Sequence, residues 1–293
     1  MKNKSIVIVG GGHAGIEAAL AVANLGIKAL LVSMDKNAVG RMSCNPAIGG
    51  LGKGHLVKEI DALGGIMGQA ADVCGIQFKM LNKSKGRAVW SPRAQIDKHQ
   101  YAHYIQSILF AHTNISIIQD EVVDFSVDND SVSSVFLRNG GTLKTNALIV
   151  CSGTFLNGLI HIGKEHYSAG RFGERAVIGL SNALVNKGFK VSRLKTGTPH
   201  RLLSSSIKWS ELQRADGDEH AVPFSILTRR PFNPKNIPCH IVDTNTNVHK
   251  ILADNLNKSA MYSGKISGVG PRYCPSIEDK IVRFSERGKH QLF

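Results

Sequence analysis

The first 32 residues constrain the fold more than any other part of the chain. An apolar run at 6–9 leads into Gly10, Gly11, Gly12, His13, Ala14 and Gly15. Small and apolar residues then recur at helical density over 16–25, Gly26 closes them, and a second apolar run fills 28–32. This is strand, turn, helix and strand in ~30 residues. In the spacing Gly10-x-Gly12-x-x-Gly15, the first glycine permits a tight turn and the second lets the main chain approach a pyrophosphate. The third lets helix pack on strand, and the helix amino terminus supplies free N–H groups to the phosphates. A GxGxxG alone carries little weight, but its place between strand and helix makes dinucleotide binding the reading. The acid that bonds a ribose is expected ~20 residues further on, ending the second strand. Ser33 stands there, and Asp35, two residues later, either reaches the ribose or is a surface carboxylate.

Residues 39–75 are rich in glycine and lead into a predicted helix at 55–63, ended by Gly64 and Gly65; a second helix is expected around 94–111. On it, His99 and His103 are spaced i, i+4 but lack a third ligand, so they read as a solvated face. Strand-like runs follow at 115–118, 121–127, 131–138 and 142–150, separated by turns at Asn129-Asp130 and Asn139-Gly140-Gly141. The last run ends in 147–151 followed by Ser152-Gly153-Thr154. It resembles the second fingerprint of two-dinucleotide-fold proteins and favours FAD over NAD at the first site. The expected fold is α/β: a glutathione-reductase-like, FAD-binding Rossmann fold with a β-meander. Past Lys195 the composition turns serine- and proline-rich, which suggests a second, incomplete α/β domain. The expected division is 1–195, with an insertion at about 39–100, and 196–293.

Five cysteines, at 44, 74, 151, 239 and 274, form no CxxC pair and no zinc-ligand cluster, so neither a disulfide framework nor a metal is expected. No apolar run is long enough to span a membrane and no cleavage pattern follows the basic amino terminus, which makes the cytoplasm the default location. The net charge of +14 is spread over 79–93, 190–201 and 280–289 rather than held in a tail. That suits a folded surface presented to a polyanion, and a solvated face nearly as well.

Two further clusters carry chemistry. Residues 43–55, Ser-Cys-Asn-Pro-Ala-Ile-Gly-Gly-Leu-Gly-Lys-Gly-His, form a loop whose N–H groups could cradle an anion ahead of a helix. No second cysteine follows Cys44 at redox spacing, so a local disulfide is excluded. Residues 268–279 hold Gly270, Pro271, Arg272, Tyr273 and Cys274 ahead of Ser276 and Asp279, which have capping-box-like spacing for a helix. Cys274 would lie just outside that helix amino terminus and two residues from Arg272, and both features lower a thiol pKa from ~8.5.

These residues bring in a resemblance. GGGHAG, SCNPAIGGLGKGHLVKEIDALGG, GIQFKMLN, RLKTGTP and GVGPRYCPSIEDK are similar to the corresponding stretches of the GidA/MnmG family, from residue 6 to the last residue. The resemblance implies a tRNA-modifying flavoenzyme that binds FAD and reduces it with NADH. Working with the GTPase MnmE (TrmE), it would install an aminomethyl or carboxymethylaminomethyl group at carbon 5 of the wobble uridine. Methylenetetrahydrofolate would be the one-carbon donor and ammonium or glycine the amine. By motif, Gly10 to Gly15 would hold the FAD pyrophosphate, Val122 would contact the flavin nucleotide and 270–284 would be the nicotinamide stretch. Cys44 and Cys274 match the two family cysteines proposed for catalysis. A thiolate is the side chain suited to adding at carbon 6 of uracil, which activates carbon 5. One cysteine would add and the other assist proton transfer; the flanks favour Cys274 as the thiolate without settling the roles. The basic surface would then bind tRNA in a salt-sensitive way.

Family members are longer than this chain, are expected to dimerise, and carry a later segment that completes the FAD domain. A truncated chain is therefore the expectation. Two alternatives stand beside the family reading: an FAD/NADH oxidoreductase acting on a small molecule, and an inactive remnant that still binds flavin or RNA.

Overall fold

The computed structural model describes residues 4–266, 268, 270 and 275–292. Its centre is a four-stranded parallel sheet. The strands are β1 (Ser5–Val9), β2 (Lys28–Ser33), β6 (Ile115–Gln119) and β10 (Ala147–Val150), in the order β10-β1-β2-β6. The helix α1 (His13–Asn24) crosses from β1 to β2 and ends where Gly26, at φ +73°, turns the chain back.

Residues alternate along β1 and β2 between two cores. Ile8, Ala29 and Leu31 face α1, together with α2 (Gly54–Ala62), α3 (Met67–Cys74) and α4 (Lys98–Ala111). Val7, Val9, Leu30 and Val32 face the meander of β7 (Val122–Asp128), β8 (Ser131–Leu137) and β9 (Thr142–Lys144) and the helix α5 (Leu180–Asn186). A sheet covered on both faces needs apolar residues at every position, which is why β1 and β2 read as unbroken hydrophobic runs. The β7–β8 hairpin turns on Asn129 and Asp130, both at positive φ, as a two-residue turn of this hand requires.

The glycine-rich segment builds an antiparallel sheet of its own, in the order β3-β5-β4, from β3 (Ala47–Gly49), β4 (Gly75–Leu81) and β5 (Ser91–Ile96). The helix expected from residue 94 therefore starts later. Ala94 to Ile96 belong to β5, and the Asp97 carboxylate caps α4 by accepting from the His99 and Gln100 N–H groups. His99 and His103 lie exposed on α4. A hairpin of β11 (Leu159–Ile162) and β12 (Glu165–Ser168) follows the central sheet. Downstream, β13 (Gln213–Ala215), β14 (Cys239–Asp243) and β15 (Gln291–Leu292) form an antiparallel sheet beside α6 (Thr246–Asp254) and α7 (Ile277–Arg283).

Residues 215–237 clasp the glycine-rich segment. Asp218 N–H and Ile237 N–H donate to the Phe78 and Ile76 carbonyls, and the buried Asp72 carboxylate accepts from Phe224 N–H, Ser225 N–H and the Thr228 hydroxyl. Among the described residues, no helix is long and apolar enough to cross a membrane.

One buried carboxylate ties the meander to the segment before α5. The Glu121 side chain is fully buried, receives Arg138 at 2.6 and 2.8 Å, pairs with Arg175 and accepts from Ile178 N–H. Burial alone would raise its pKa; the two guanidiniums and the N–H prevail and hold it below the ordinary carboxylate value of 4.5. A depressed carboxylate stabilises the fold above its unfolded pKa and loses that contribution as pH falls through its folded pKa. The urea midpoint is therefore expected to drop as pH falls below about 4.5. Glu121→Gln should lower the midpoint at neutral pH and make that acid-dependent drop smaller.

Candidate functional site

The glycine turn stands at the carboxyl ends of the parallel strands, where doubly wound sheets bind their ligands. Gly10 takes φ +104°, its N–H donates to the Val32 carbonyl at 2.9 Å, and a Cβ there would run into the Cys151 carbonyl. A Cβ on Gly15 would run into the Gly10 carbonyl, and one on Gly11 would come within 2.7 Å of Val39. Gly12 differs: it is the exposed N-cap of α1, and a Cβ there would meet nothing within 4 Å. Three glycines are thus closed against protein and one opens onto the helix amino terminus.

His13 opens α1 and is held from behind. Its Nδ1 lies 3.2 Å from the Tyr101 hydroxyl, ring edge to face, and burial lowers its pKa. The same burial pushes the Tyr101 phenol up, so its proton stays on and the imidazole stays neutral near pH 7. Ala14 is exposed beside it. One turn on, the Glu17 carboxylate accepts from the Ile66 and Met67 N–H groups and so caps α3. Asp35 caps the short turn 36–38 through Asn37 N–H and lies 3.8 Å from Arg41. Val122 is buried in the meander core.

The second cluster sits on a different contact. Cys44 is exposed; its thiol donates to the Gly197 carbonyl at 3.7 Å, and Arg201 Nη2 lies 3.4 Å from the Cys44 carbonyl. The same 193–201 stretch reaches the third cluster. Lys195 Nζ pairs with Asp279 at 3.2 Å in a contact that is about nine-tenths buried. Asp279 also accepts from the Tyr262 hydroxyl and closes a capping box with Ser276 at the start of α7, as the sequence spacing suggested. Cβ atoms on Gly268 and Gly270 would lie 3.1 Å from the Arg193 carbonyl and 2.8 Å from Lys195 Cε. Residues 193–201 therefore bridge the Cys44 loop and the segment leading to α7. Pro271, Arg272, Tyr273 and Cys274 lie outside the described residues.

Sequence reasoning overlooked Tyr101, Lys195 and the group formed by Arg41, Arg171 and Glu174. Lys195 had a signal, since it lies in the RLKTGTP stretch. The others are joined only by the fold.

The comparisons with known proteins extend over the whole chain. A family model described as "Glucose inhibited division protein A" (GidA) matches residues 5–293. The tRNA uridine 5-carboxymethylaminomethyl modification enzyme MnmG of Thermodesulfovibrio yellowstonii is 49% identical over 292 residues, which are 100% of this chain and 47% of that protein. Aquifex aeolicus GidA in one crystal form superposes with a TM-score of 0.91 at 47% identity, covering 99% of this chain and 49% of that one. In a second crystal form the TM-score is 0.89 at 45% identity, covering 98% and 47%. The chain spans about half the length of the relatives it matches.

Proposed function

The chain belongs to the GidA family, and from that premise we propose that it carries the flavin-binding portion of a tRNA wobble-uridine modification enzyme. The observation that carries this reading is the 49% identity along its whole length to an enzyme of that activity.

The residues around the glycine turn fit FAD. Gly12 leaves open the space that a Cβ would fill, at the amino terminus of a 12-residue helix and at the carboxyl edge of a parallel sheet. Gly10 to Gly15 would hold the pyrophosphate, with the Val122 main chain against the flavin nucleotide. When bound, FAD reduced by NADH would supply the electrons for building the new group at carbon 5, and residues 270–284 are the stretch proposed to bind the nicotinamide.

The chain's own part in the chemistry is to activate the base. An added thiolate at carbon 6 of uracil makes carbon 5 an enolate-like nucleophile, and losing the carbon 5 proton then lets the thiolate leave. Cys44, which is exposed, is the proposed nucleophile for a splayed-out base, and Cys274 is its proposed partner. Methylenetetrahydrofolate is the proposed one-carbon donor. The GTPase MnmE, a homodimeric full-length enzyme and a cytoplasmic setting complete the proposal.

The first test is the visible spectrum of the purified 293-residue chain, with the released flavin identified and counted. We expect FAD approaching one per chain. Soluble, folded protein that neither carries flavin nor takes it up on titration would make the inactive remnant the better description.

A further inference from the structure

Two routes through the structure lead from the glycine turn to one guanidinium. On the first, Gly10 abuts the Cys151 carbonyl, residues 152–155 turn through a Phe155 N–H to Ser152 carbonyl bond, and the Thr154 hydroxyl donates to the Gly170 carbonyl at 2.7 Å. Arg171 comes next. On the second, Gly40 N–H donates to the Gly11 carbonyl at 2.9 Å, and Arg41 follows it. Arg41 Nη1 then pairs with Glu174 Oε1 at 2.8 Å, the oxygen that also lies 3.2 Å from Arg171 Nε. Arg171 is thus held over the carboxyl edge of the sheet from both sides of the turn.

Its surroundings suit a charge that waits for an acceptor. The guanidinium lies 5.4 Å from the centre of the Phe155 ring, and its Nε and Nη1 are buried without a hydrogen-bond acceptor among the described residues. Glu174 is near enough for charge attraction but off the line of the N–H. It is also shared with Arg41, whose remaining carboxylate neighbour, Asp35, is half exposed and 3.8 Å away. Burial lowers the Arg171 pKa, yet a guanidinium keeps its proton. Orphaned buried donors are rare in folded proteins, and each calls for a water, ion or ligand that meets it. At the carboxyl edge of a dinucleotide-binding sheet a phosphate offers such an acceptor, with negative charge and two oxygens within reach of a fork-shaped donor.

We propose that Arg171 donates to the dinucleotide pyrophosphate from the side opposite the Gly10–Gly15 turn, with Glu174 and Arg41 fixing the guanidinium. This inference rests on the reading of the crevice as an FAD site. The helix amino terminus would meet one side of the pyrophosphate with N–H groups and Arg171 the other side with a full charge.

The test titrates the flavin-free 293-residue chain and its Arg171→Met variant with FAD and with ADP, which shares the pyrophosphate but lacks the flavin. Losing one charge-assisted donor pair should weaken both ligands about 10- to 100-fold and flatten the salt dependence of binding. The melting temperature of the unliganded protein should fall only modestly, because the side chain gives up its ion pair with Glu174 and its contact with the Phe155 ring but no hydrogen bond among the described residues. Folded Arg171→Met that binds FAD and ADP like the parent overturns the proposal. A parent chain that binds neither ligand overturns the FAD reading along with it. Should Arg171→Met fail to fold, Arg171→Lys takes its place: it keeps the charge but loses the fork, and about a tenfold loss is expected. Parent-like affinity in that variant overturns the proposal equally.

Discussion

Gly12→Ala is expected to fold normally and lose flavin, whereas Gly15→Ala is expected to lose both. The two glycines stand three residues apart in one motif, yet their surroundings are opposite. Gly12 has φ −81°, which alanine adopts freely, and its added methyl would meet no protein atom within 4 Å. The melting temperature should therefore move by no more than about 2–4 °C, the scale of a changed N-cap in a chain of this size. That methyl would instead occupy the space in which the pyrophosphate approaches the helix amino terminus, so FAD affinity should fall at least about 100-fold, or ~2.7 kcal/mol. Gly15 is sealed between α1 and β1, and its methyl would strike the Gly10 carbonyl. The helix could make room only by lifting off the strand, and overpacking of this kind costs about 1–3 kcal/mol or more. Thermal melts by circular dichroism and fluorescence titration with FAD separate the two. If Gly12→Ala bound FAD like the parent, the open space at the helix amino terminus would not be the pyrophosphate site.

The strands flanking this turn were legible because both faces of the central sheet are buried, so β1 and β2 carry unbroken apolar runs with turn residues at each end. The meander was legible from its turns. Residues 142–150 nevertheless form two strands: the Thr145 hydroxyl accepts from Val7 N–H and lies 3.0 Å from the Ser5 carbonyl, where the chain leaves the meander for the parallel sheet. The helix expected from residue 94 began too early because alanine and glutamine favour helices locally. Pairing with Gly75–Leu81 overrides that preference, and the Asp97 cap shows where the helix starts. The same division runs through the site. The glycine turn and the Ser276–Asp279 capping box are local and could be read from spacing. The pairing of Arg41 with Glu174 joins residues 133 positions apart, and that of Lys195 with Asp279 joins residues 84 apart. No single-sequence periodicity encodes such pairs; they exist only because the fold brings segments distant in the chain together.

On the proposed function, Cys44→Ala in a full-length protein is expected to abolish wobble-uridine modification, by about a thousandfold or more, without changing flavin content or stability. The side chain is exposed and its one hydrogen bond among the described residues is a 3.7 Å thiol contact to the Gly197 carbonyl, so truncating it removes little that holds the fold together. Lys195→Met should behave differently. Its ammonium and the Asp279 carboxylate are about nine-tenths buried, so removing the cation leaves a poorly compensated charge and should cost about 3 kcal/mol. Tyr262 and Ser276 would still hold the carboxylate, so α7 should survive while the 193–201 stretch loosens from it. Modification should then fall together with stability. Lys195→Arg, which keeps the charge, should recover part of both. Nucleoside analysis of tRNA from cells expressing each variant, beside the melting temperature of the purified protein, reads the two effects separately. A Cys44→Ala enzyme that modified tRNA at the parent rate would remove Cys44 from the chemistry. Activity lost in Lys195→Met with an unchanged melting temperature would give the lysine a part in catalysis beyond bracing Asp279.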